Sequence, residues 1–226
     1  MTQRNSLPLC LSEEKMQKNE ITLLIATKNR NKVKEIETIL AEFSSKEENA
    51  SVPALKLLTL ADVGFTGEIE ENGTTFEENA AIKAKAAAAL GYISVADDSG
   101  ICANALGGAP GIYSARYSGG SDDDNNEKLL SELADKDDRT AYYYCAVACE
   151  FPDGREGFVC GGRCDGTVIT EYRGNGGFGY DPLFLSSDLG KTFAEATAEE
   201  KHTVSHRGRA VREFAARLFE ILREEK

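Results

Sequence analysis

Five short segments of the chain carry side chains whose types and spacing could do chemistry. Asp97-Asp98-Ser99-Gly100 sets two carboxylates and a hydroxyl directly after an apolar run at residues 93–96. Adjacent carboxylates are costly together unless a cation or a donor compensates, and the C-terminal end of a strand is where α/β sheets bind ligands. The polar turn of Thr27, Lys28, Asn29, Arg30, Asn31 and Lys32 lies between an apolar run and a helix start. Backbone amides and three cations would meet there at the positive end of a helix dipole, a set that suits a triphosphate tail. In the third segment, Glu70-Glu71-Asn72-Gly73, a carboxylate joining Asp98 would build a hard oxygen site for Mg²⁺, with waters and phosphate oxygens as its other ligands. Glu77 and Glu78, just downstream, favour a helix dipole from its first turn. Lys83 and Lys85 are either a solvated face or positive charge beside phosphates. Gly176-Gly177-Phe178-Gly179-Tyr180-Asp181-Pro182 is the fourth segment, where glycines permit close approach to a flat ligand and an aromatic ring offers it a stacking face. The fifth gathers Lys201, His202, Ser205, His206 and Arg207 within seven residues. Taken singly, each has a plainer reading: a hydrogen-bonded turn, a capped helix start, a buried aromatic loop, or a cationic loop ahead of the last helix.

Those segments need elements to hold them. Residues 21–26 predict a buried strand, and a helical pattern follows with Val33, Ile36, Ile39, Leu40 and Phe43 on one face. The acidic stretch 44–51 reads as a surface loop, 55–60 as a return to the sheet, and 64–73 as a glycine- and acid-rich connection. Thr75-Phe76-Glu77-Glu78 fits a capping box ahead of an alanine-rich helix that runs to Leu90 and ends at Gly91. A short strand at 93–96 follows, then a long structured loop at 105–120 and a helix near 124–134 that buries Leu129, Leu130 and Leu133. Residues 142–151 and 156–163 flank Pro152-Asp153-Gly154 as a hairpin, and 167–171 continue the strand-rich stretch. Val211, Phe214, Leu218 and Leu222 make 207–225 an amphipathic helix. Helices mixed with a strand–helix unit and a hairpin predict an α/β fold with a mixed sheet.

Composition narrows the partners. The chain has 226 residues, 41% apolar and 28% charged, which excludes disordered and collagen-like chains. With 26 basic and 38 acidic side chains the net charge is −12, which repels extended nucleic acid in the far field. A local cluster of donors and a metal outweighs that field within a Debye length of about 8 to 10 Å, so the acidity limits partner size rather than partner chemistry. The apolar run at 21–26 is far short of the roughly 20 residues that span a bilayer, and the patch at 7–11 is too short for a secretory signal. We therefore expect a cytoplasmic protein without a membrane partner, with a flexible leader over 1–20 and one domain over 21–226. Cys10, Cys102, Cys145, Cys149, Cys160 and Cys164 include two pairs at C-x3-C spacing, which read as reduced thiols on or near strands rather than as a zinc site.

In their order along the chain, the segments resemble the Ham1-like inosine triphosphate pyrophosphatases, enzymes that hydrolyse non-standard purine nucleoside triphosphates. The matching residues are 27–32, 73–85 (GTTFEENAAIKAK), 96–100 (ADDSG), 106–118 (LGGAPGIYSARYS), 174–182 (GNGGFGYDP) and 200–207, which ends in SHR. The resemblance covers residue 21 to the C-terminus. It implies a mixed elongated central sheet flanked by helices, two lobes with a deep active-site cleft, and a homodimer. It further implies hydrolysis of ITP, dITP and XTP to the nucleoside monophosphate and pyrophosphate, with Mg²⁺ as cofactor. By position, the proton acceptor falls on Asp98 and the magnesium carboxylates on Glu71 and Asp98. Substrate contacts fall on Thr27, Lys28, Asn29, Arg30, Asn31, Lys32, Ser99, Phe178, Gly179, Tyr180, Asp181, Lys201, His206 and Arg207, with Lys83 as a further substrate-facing lysine. One departure is Lys28, where many members carry glycine.

Base choice follows from donors and acceptors. Hypoxanthine and xanthine share a 6-oxo acceptor that adenine lacks, so donors from residues 201–207 favour them. Guanine has the same 6-oxo group, but its 2-amino donor would meet another donor or be buried unpaired, at a cost of about 1 to 3 kcal/mol. Two competing readings are a Maf-like nucleotide pyrophosphatase, which the GGFGYDP and SHR blocks argue against, and a nucleotide sensor that binds without turnover.

Overall fold

The burial of apolar side chains along the strands decides the layout. In β1 (Ile21–Ile25) Leu23, Leu24 and Ile25 are all buried, as a strand covered on both faces requires. Helix α1 (Arg30–Ser44) returns the chain to β2 (Leu55–Thr59), which runs parallel to β1. Helix α2 (Phe76–Ala88) then leads into β3 (Ile93–Ala103), parallel to β1 on its other side. After α3 (Asp122–Glu132) the sheet becomes antiparallel through β4 (Thr140–Glu150), β5 (Phe158–Val168) and the short β6 (Phe184–Ser186). The strand order is β2-β1-β3-β4-β5-β6, and α4 (Ala198–Val204) and α5 (His206–Glu224) close the chain. The computed structural model describes residues 20–224, so all but the last residue of the expected leader lies outside the described residues.

Three apolar clusters hold the layers. On one face, Ile36 and Ile39 of α1 and Val211, Phe214 and Leu218 of α5 pack on Leu23, Ile25, Val95 and Val147. On the other, Ala80, Ala84 and Ala87 of α2 meet Ala96, Ala146 and Ala148. Small residues on both sides let the helix lie close to the sheet at interior packing density, which accounts for the alanine-rich sequence. The third cluster, around Ile101, Leu129, Tyr143, Phe184 and Phe193, builds a second lobe at the far end of the long strands.

Several expectations need correction. Strand β3 does not stop at residue 96 but runs to Ala103, because β4 pairs with it from Ser94 to Ala103. Asp97, Asp98 and Ser99 therefore sit inside a strand, not in a turn after one. The segment at 105–120 is folded into 3₁₀ turns, including Gly111–Arg116, and Ser114 Oγ accepts from Ile101 N at 3.0 Å. A side chain at Gly100 would strike Gly111 O and Ser114 Oγ, so only glycine admits this close approach. Helix α3 begins at Asp122, two residues early, because Ser121 caps it and Asp124 completes the capping box. β5 ends at Val168, so 169–171 are not strand, and β6 carried no sequence signal of its own. The 44–51 stretch holds a buried asparagine, Asn49, whose Oδ1 accepts from Arg223 Nη1 at 2.9 Å and ties it to α5. Thr75 Oγ1 caps α2 at Glu78 N, but the Glu78 carboxylate takes Thr74 N at 2.6 Å instead of Thr75.

Candidate active site

The site forms where β1 stops. β1 pairs with β3 only from Leu23↔Ile93 to Ile25↔Val95, and Ala26 N donates to Val95 O at 2.7 Å. Beyond that point the chain turns aside into α1 while β3 continues, so Asp97, Asp98 and Ser99 border the gap. Because β2 and β3 flank β1 on opposite sides, this is the crevice in which open α/β sheets bind ligands.

Strand alternation sends the two aspartates to opposite faces, so the costly carboxylate pair does not arise. Asp97 faces α1 and α5, with Lys32 Nζ at 3.0 Å and Arg207 Nε at 3.2 Å from its Oδ2. Burial alone would raise its carboxyl, but the charges of Lys32, Arg207 and Lys83 outweigh that and hold it far below the usual carboxylate range. Arg207 also donates to Ser99 Oγ at 2.8 Å and to Glu35 Oε2 at 2.6 Å. Asp98 faces α2, where Asn79 Nδ2 donates to its Oδ2 at 3.2 Å and Lys83 Nζ lies 3.6 Å from Oδ1. Burial lifts the Asp98 carboxyl above its ordinary value, against the pull of Lys83 and Lys32. Lys83 also reaches Glu71 Oε1 at 3.2 Å, so one ammonium marks the point where Glu71 and Asp98 converge.

Two cavities open onto this strand. The larger, 420 Å³, is lined by the cations Lys28, Lys32, Lys83 and Arg116, the carboxylates Glu68, Glu71 and Asp98, Thr27, and an apolar wall of Leu60, Phe65 and Ile69. The smaller, 140 Å³, is lined by Phe178, Gly179, Tyr180 and Asp181 with Lys201, His206 and Arg207. They share Asn29, Lys32, Ser99 and Ala115, so they form one groove with a charged end and an aromatic end. At the aromatic end the His206 ring stacks on Tyr143 at 4.5 Å between centroids. Burial, with help from Arg207 and Lys201, pushes its pKa well below 6.5. Lys201 Nζ sits 4.8 Å from the Phe178 ring centroid and 2.6 Å from Asp181 Oδ2.

A protein-family model described as the Ham1 family matches residues 23–217. This chain belongs to the Ham1 family. It is 46% identical over 204 residues to the dITP/XTP pyrophosphatase of Desulfotalea psychrophila, covering 89% of this chain and 86% of that one. It is 46% identical over 200 residues to the dITP/XTP pyrophosphatase of Bacillus subtilis, covering 86% and 96%. A solved HAM1 protein from Coxiella burnetii superposes with a TM-score of 0.77 at 35% identity, covering 88% of this chain and 99% of its own. The crystal structure of a nucleoside-triphosphatase, named dITP/XTP pyrophosphatase, from Mycobacterium abscessus matches with a TM-score of 0.68 at 39% identity, over 86% and 98% of the two chains.

Of the residues that the Ham1 resemblance singled out, the groove gathers Thr27, Lys28, Asn29, Lys32, Glu71, Lys83, Asp98 and Ser99 at or near its charged end. Phe178, Gly179, Tyr180, Asp181, Lys201, His206 and Arg207 line its aromatic end. Arg30 and Asn31 line neither cavity; they are exposed on the first turn of α1. Asn29 Oδ1 accepts from the amides of Asn31 and Lys32 at 2.9 and 3.3 Å, so the helix cap already uses two amides expected for phosphate. Positive charge on this loop is therefore delivered by the Lys28 and Lys32 side chains. Glu77 accepts from Tyr144 Oη at 2.6 Å, Glu78 accepts from Thr74 N ahead of α2, and Lys85 lies out in solvent beside Glu150. The run 201–207 is no loop: it spans α4 and the start of α5, and His202 lines neither cavity.

Sequence reasoning passed over Asn79, Glu35, Tyr143, Arg116 and Asp122. Asn79 and Arg116 lie within the matched blocks and could have been weighed there. Glu35 and Tyr143 carry no local signal, since their partners Arg207 and His206 are supplied by the far end of the chain.

Glu71 and Asp98 fit a magnesium site. Both approach a single cation, Lys83, and Mg²⁺ is commonly held by one or two carboxylates with phosphates and waters completing its shell. No cluster of three or more His, Cys, Asp or Glu side chains suited to a metal occurs among the described residues. The five described cysteines are free and buried, four of them on β4 and β5.

Proposed function

We propose that this chain hydrolyses dITP, ITP and XTP to the nucleoside monophosphate and pyrophosphate, clearing such nucleotides from the cellular pool. The observation that carries this reading is the continuous groove, whose charged end suits a triphosphate and whose aromatic end suits a purine. The names borne by the Desulfotalea, Bacillus and Mycobacterium relatives point to the same reaction.

In this reading the purine lies against Phe178 with its 6-oxo group toward the donors Lys201 and Arg207. The guanine 2-amino group would find a donor or no partner there, and leaving it unpaired costs about 1 to 3 kcal/mol. Glu71 and Asp98 would hold Mg²⁺, which would neutralise phosphate charge and make the α-phosphorus more electrophilic. Asp98, placed at the groove by β3 and oriented by Asn79, takes a proton from the attacking water. A P–O bond forms to that water, the α–β bridging bond breaks, and its electrons leave with pyrophosphate. Lys28, Lys32, Lys83 and Arg116 offset the charge that builds on the departing group, the electrostatic part of the catalysis.

The Ham1 resemblance leads us to propose a cytoplasmic homodimer as well. No helix among the described residues is long and apolar enough to cross a membrane. Pyrophosphate release from ITP, dITP, XTP, GTP and ATP, with and without Mg²⁺, tests it. Fast, magnesium-dependent release from the first three and slow release from the last two is expected. Equal rates on all five, or nucleotide binding without release, would overturn it.

A further inference from the structure

Helix α3 reaches the purine cavity from the second lobe. Gly179 N donates to Asp122 Oδ2 at 3.0 Å, and Asn126 Nδ2 donates to Gly179 O at 3.1 Å. Two side chains one helical turn apart thus hold both backbone polar groups of one residue more than fifty positions away. Asn126 is only 1% exposed, and Asp122 itself lines the smaller cavity. Tyr172 Oη donates to Glu127 Oε1 at 3.2 Å, a third tie between the same helix and the approach to the glycine-rich loop. α3 is well anchored to do this: Ser121 and Asp124 form its capping box, and Asn125 Oδ1 takes Ser118 N at 2.7 Å. The loop, by contrast, holds positive φ at Gly177 and Gly179, and glycine backbone loses the most freedom on ordering.

We propose that Asp122 and Asn126 are positioning residues for purine discrimination. By clamping Gly179 they fix the neighbouring Phe178 ring beside Lys201 and Arg207, where the base is to be read. This rests on the nucleotide reading above. A slack loop blurs the placement of stacking face against donors, and with it the mismatch that rejects guanine. The charged end of the groove contains no residue of this loop, so triphosphate recognition is left intact.

The test compares Asp122→Ala, Asn126→Ala and Asp122→Asn with the unaltered chain, measuring kcat and KM for ITP and GTP and inhibition by inorganic triphosphate. Loss of one such hydrogen bond is worth roughly a factor of ten. Asp122→Ala and Asn126→Ala are expected to raise KM for ITP about tenfold and to narrow the ITP-over-GTP preference, with kcat and triphosphate inhibition little changed. Asp122→Asn keeps an acceptor for Gly179 N and is expected to restore the preference. An unchanged ITP-over-GTP ratio in Asp122→Ala overturns the positioning role, and so does a parallel loss toward ITP, GTP and triphosphate. An unaltered chain that turns over GTP as fast as ITP overturns the underlying nucleotide reading instead.

Discussion

Arg207 Nε lies 3.2 Å from Asp97 Oδ2, inside the protein where α5 begins against β3. The same carboxylate oxygen takes Lys32 Nζ at 3.0 Å. A guanidinium at the purine end of the groove and an ammonium shared with the phosphate end are thus set by one buried anion. Gly162 allows α5 to sit this close, since a side chain there would strike His206 O and Ala210 N. Removing one partner of a buried pair leaves an uncompensated charge, so Asp97→Asn is expected to lose about 3 to 5 kcal/mol at pH 7. The sign with pH follows from the lowered carboxyl. Its stabilisation is complete above the unfolded value of 3.8 and is lost as pH falls below it. Urea unfolding between pH 3 and 7 checks both points. The unaltered chain should weaken more steeply below about pH 4 than Asp97→Asn does, and equal stability of the two at pH 7 refutes the argument.

Asp98 differs from its neighbour in everything but type. It faces α2, touches Asn79 and Lys83, and its carboxyl is raised by burial rather than lowered. If it is the base, Asp98→Asn is expected to cut kcat by about 10²- to 10⁴-fold, the usual contribution of general-base catalysis. Stability should stay near that of the unaltered chain, because an amide satisfies Asn79 and removes no buried ion pair as tight as that of Asp97. Single-turnover pyrophosphate release beside a thermal melt decides it, and near-normal kcat in this variant removes Asp98 from the base role.

The contrast between these aspartates also shows what local sequence can and cannot carry. The apolar period of β1 and α1 and the cap of α2 are written in short windows, so those elements follow from neighbouring residues. The length of β3 does not: polar Asp97, Asp98 and Ser99 look like a turn until β4 pairs with them, Lys32, Arg207 and Lys83 offset the carboxylate charge, and Asn79 donates to Asp98. The motif blocks brought Lys28, Lys83, Phe178 and His206 to the groove. They also swept in Arg30 and Asn31, whose outward direction on the first turn of α1 depends on how Asn29 caps that helix. Glu35 and Tyr143 escaped notice because long-range packing alone sets them against Arg207 and His206.

Arg116 brings a guanidinium to the charged cavity, from the 3₁₀ turn that caps the open edge of β3. Its side chain rests against the Tyr113 ring, 5.3 Å from the centroid, and makes no ion pair among the described residues. A free guanidinium facing three lysines is poised for phosphate oxygens, which it meets with charge-assisted hydrogen bonds. Arg116→Ala is expected to lower kcat/KM for ITP about 10- to 100-fold, with Arg116→Lys recovering part of the loss. Steady-state kinetics with ITP reads this directly. Wild-type kcat/KM in the alanine variant places the guanidinium outside the reaction.

His206 stands between the stacked ring of Tyr143 and the purine end of the groove, with Nδ1 buried and without a hydrogen-bond partner among the described residues. Burial first, then the nearby Arg207 and Lys201, disfavours its charged form against the opposing pull of Asp97, so the folded protein keeps this imidazole neutral below its ordinary 6.5. A neutral ring offers one donor and one acceptor, so it can meet a purine edge without bringing another buried cation beside Arg207. The unfolded chain gains a proton at pH values where the folded one does not. His206 therefore contributes stability that is complete above 6.5 and declines as pH falls below it. An NMR titration of the imidazole protons in a His202→Gln variant isolates this ring. Its shift should stay flat from pH 8 to 5.5, and an inflection near 6.5 would show that the ring ionises freely and that the stacked, buried placement does not govern it.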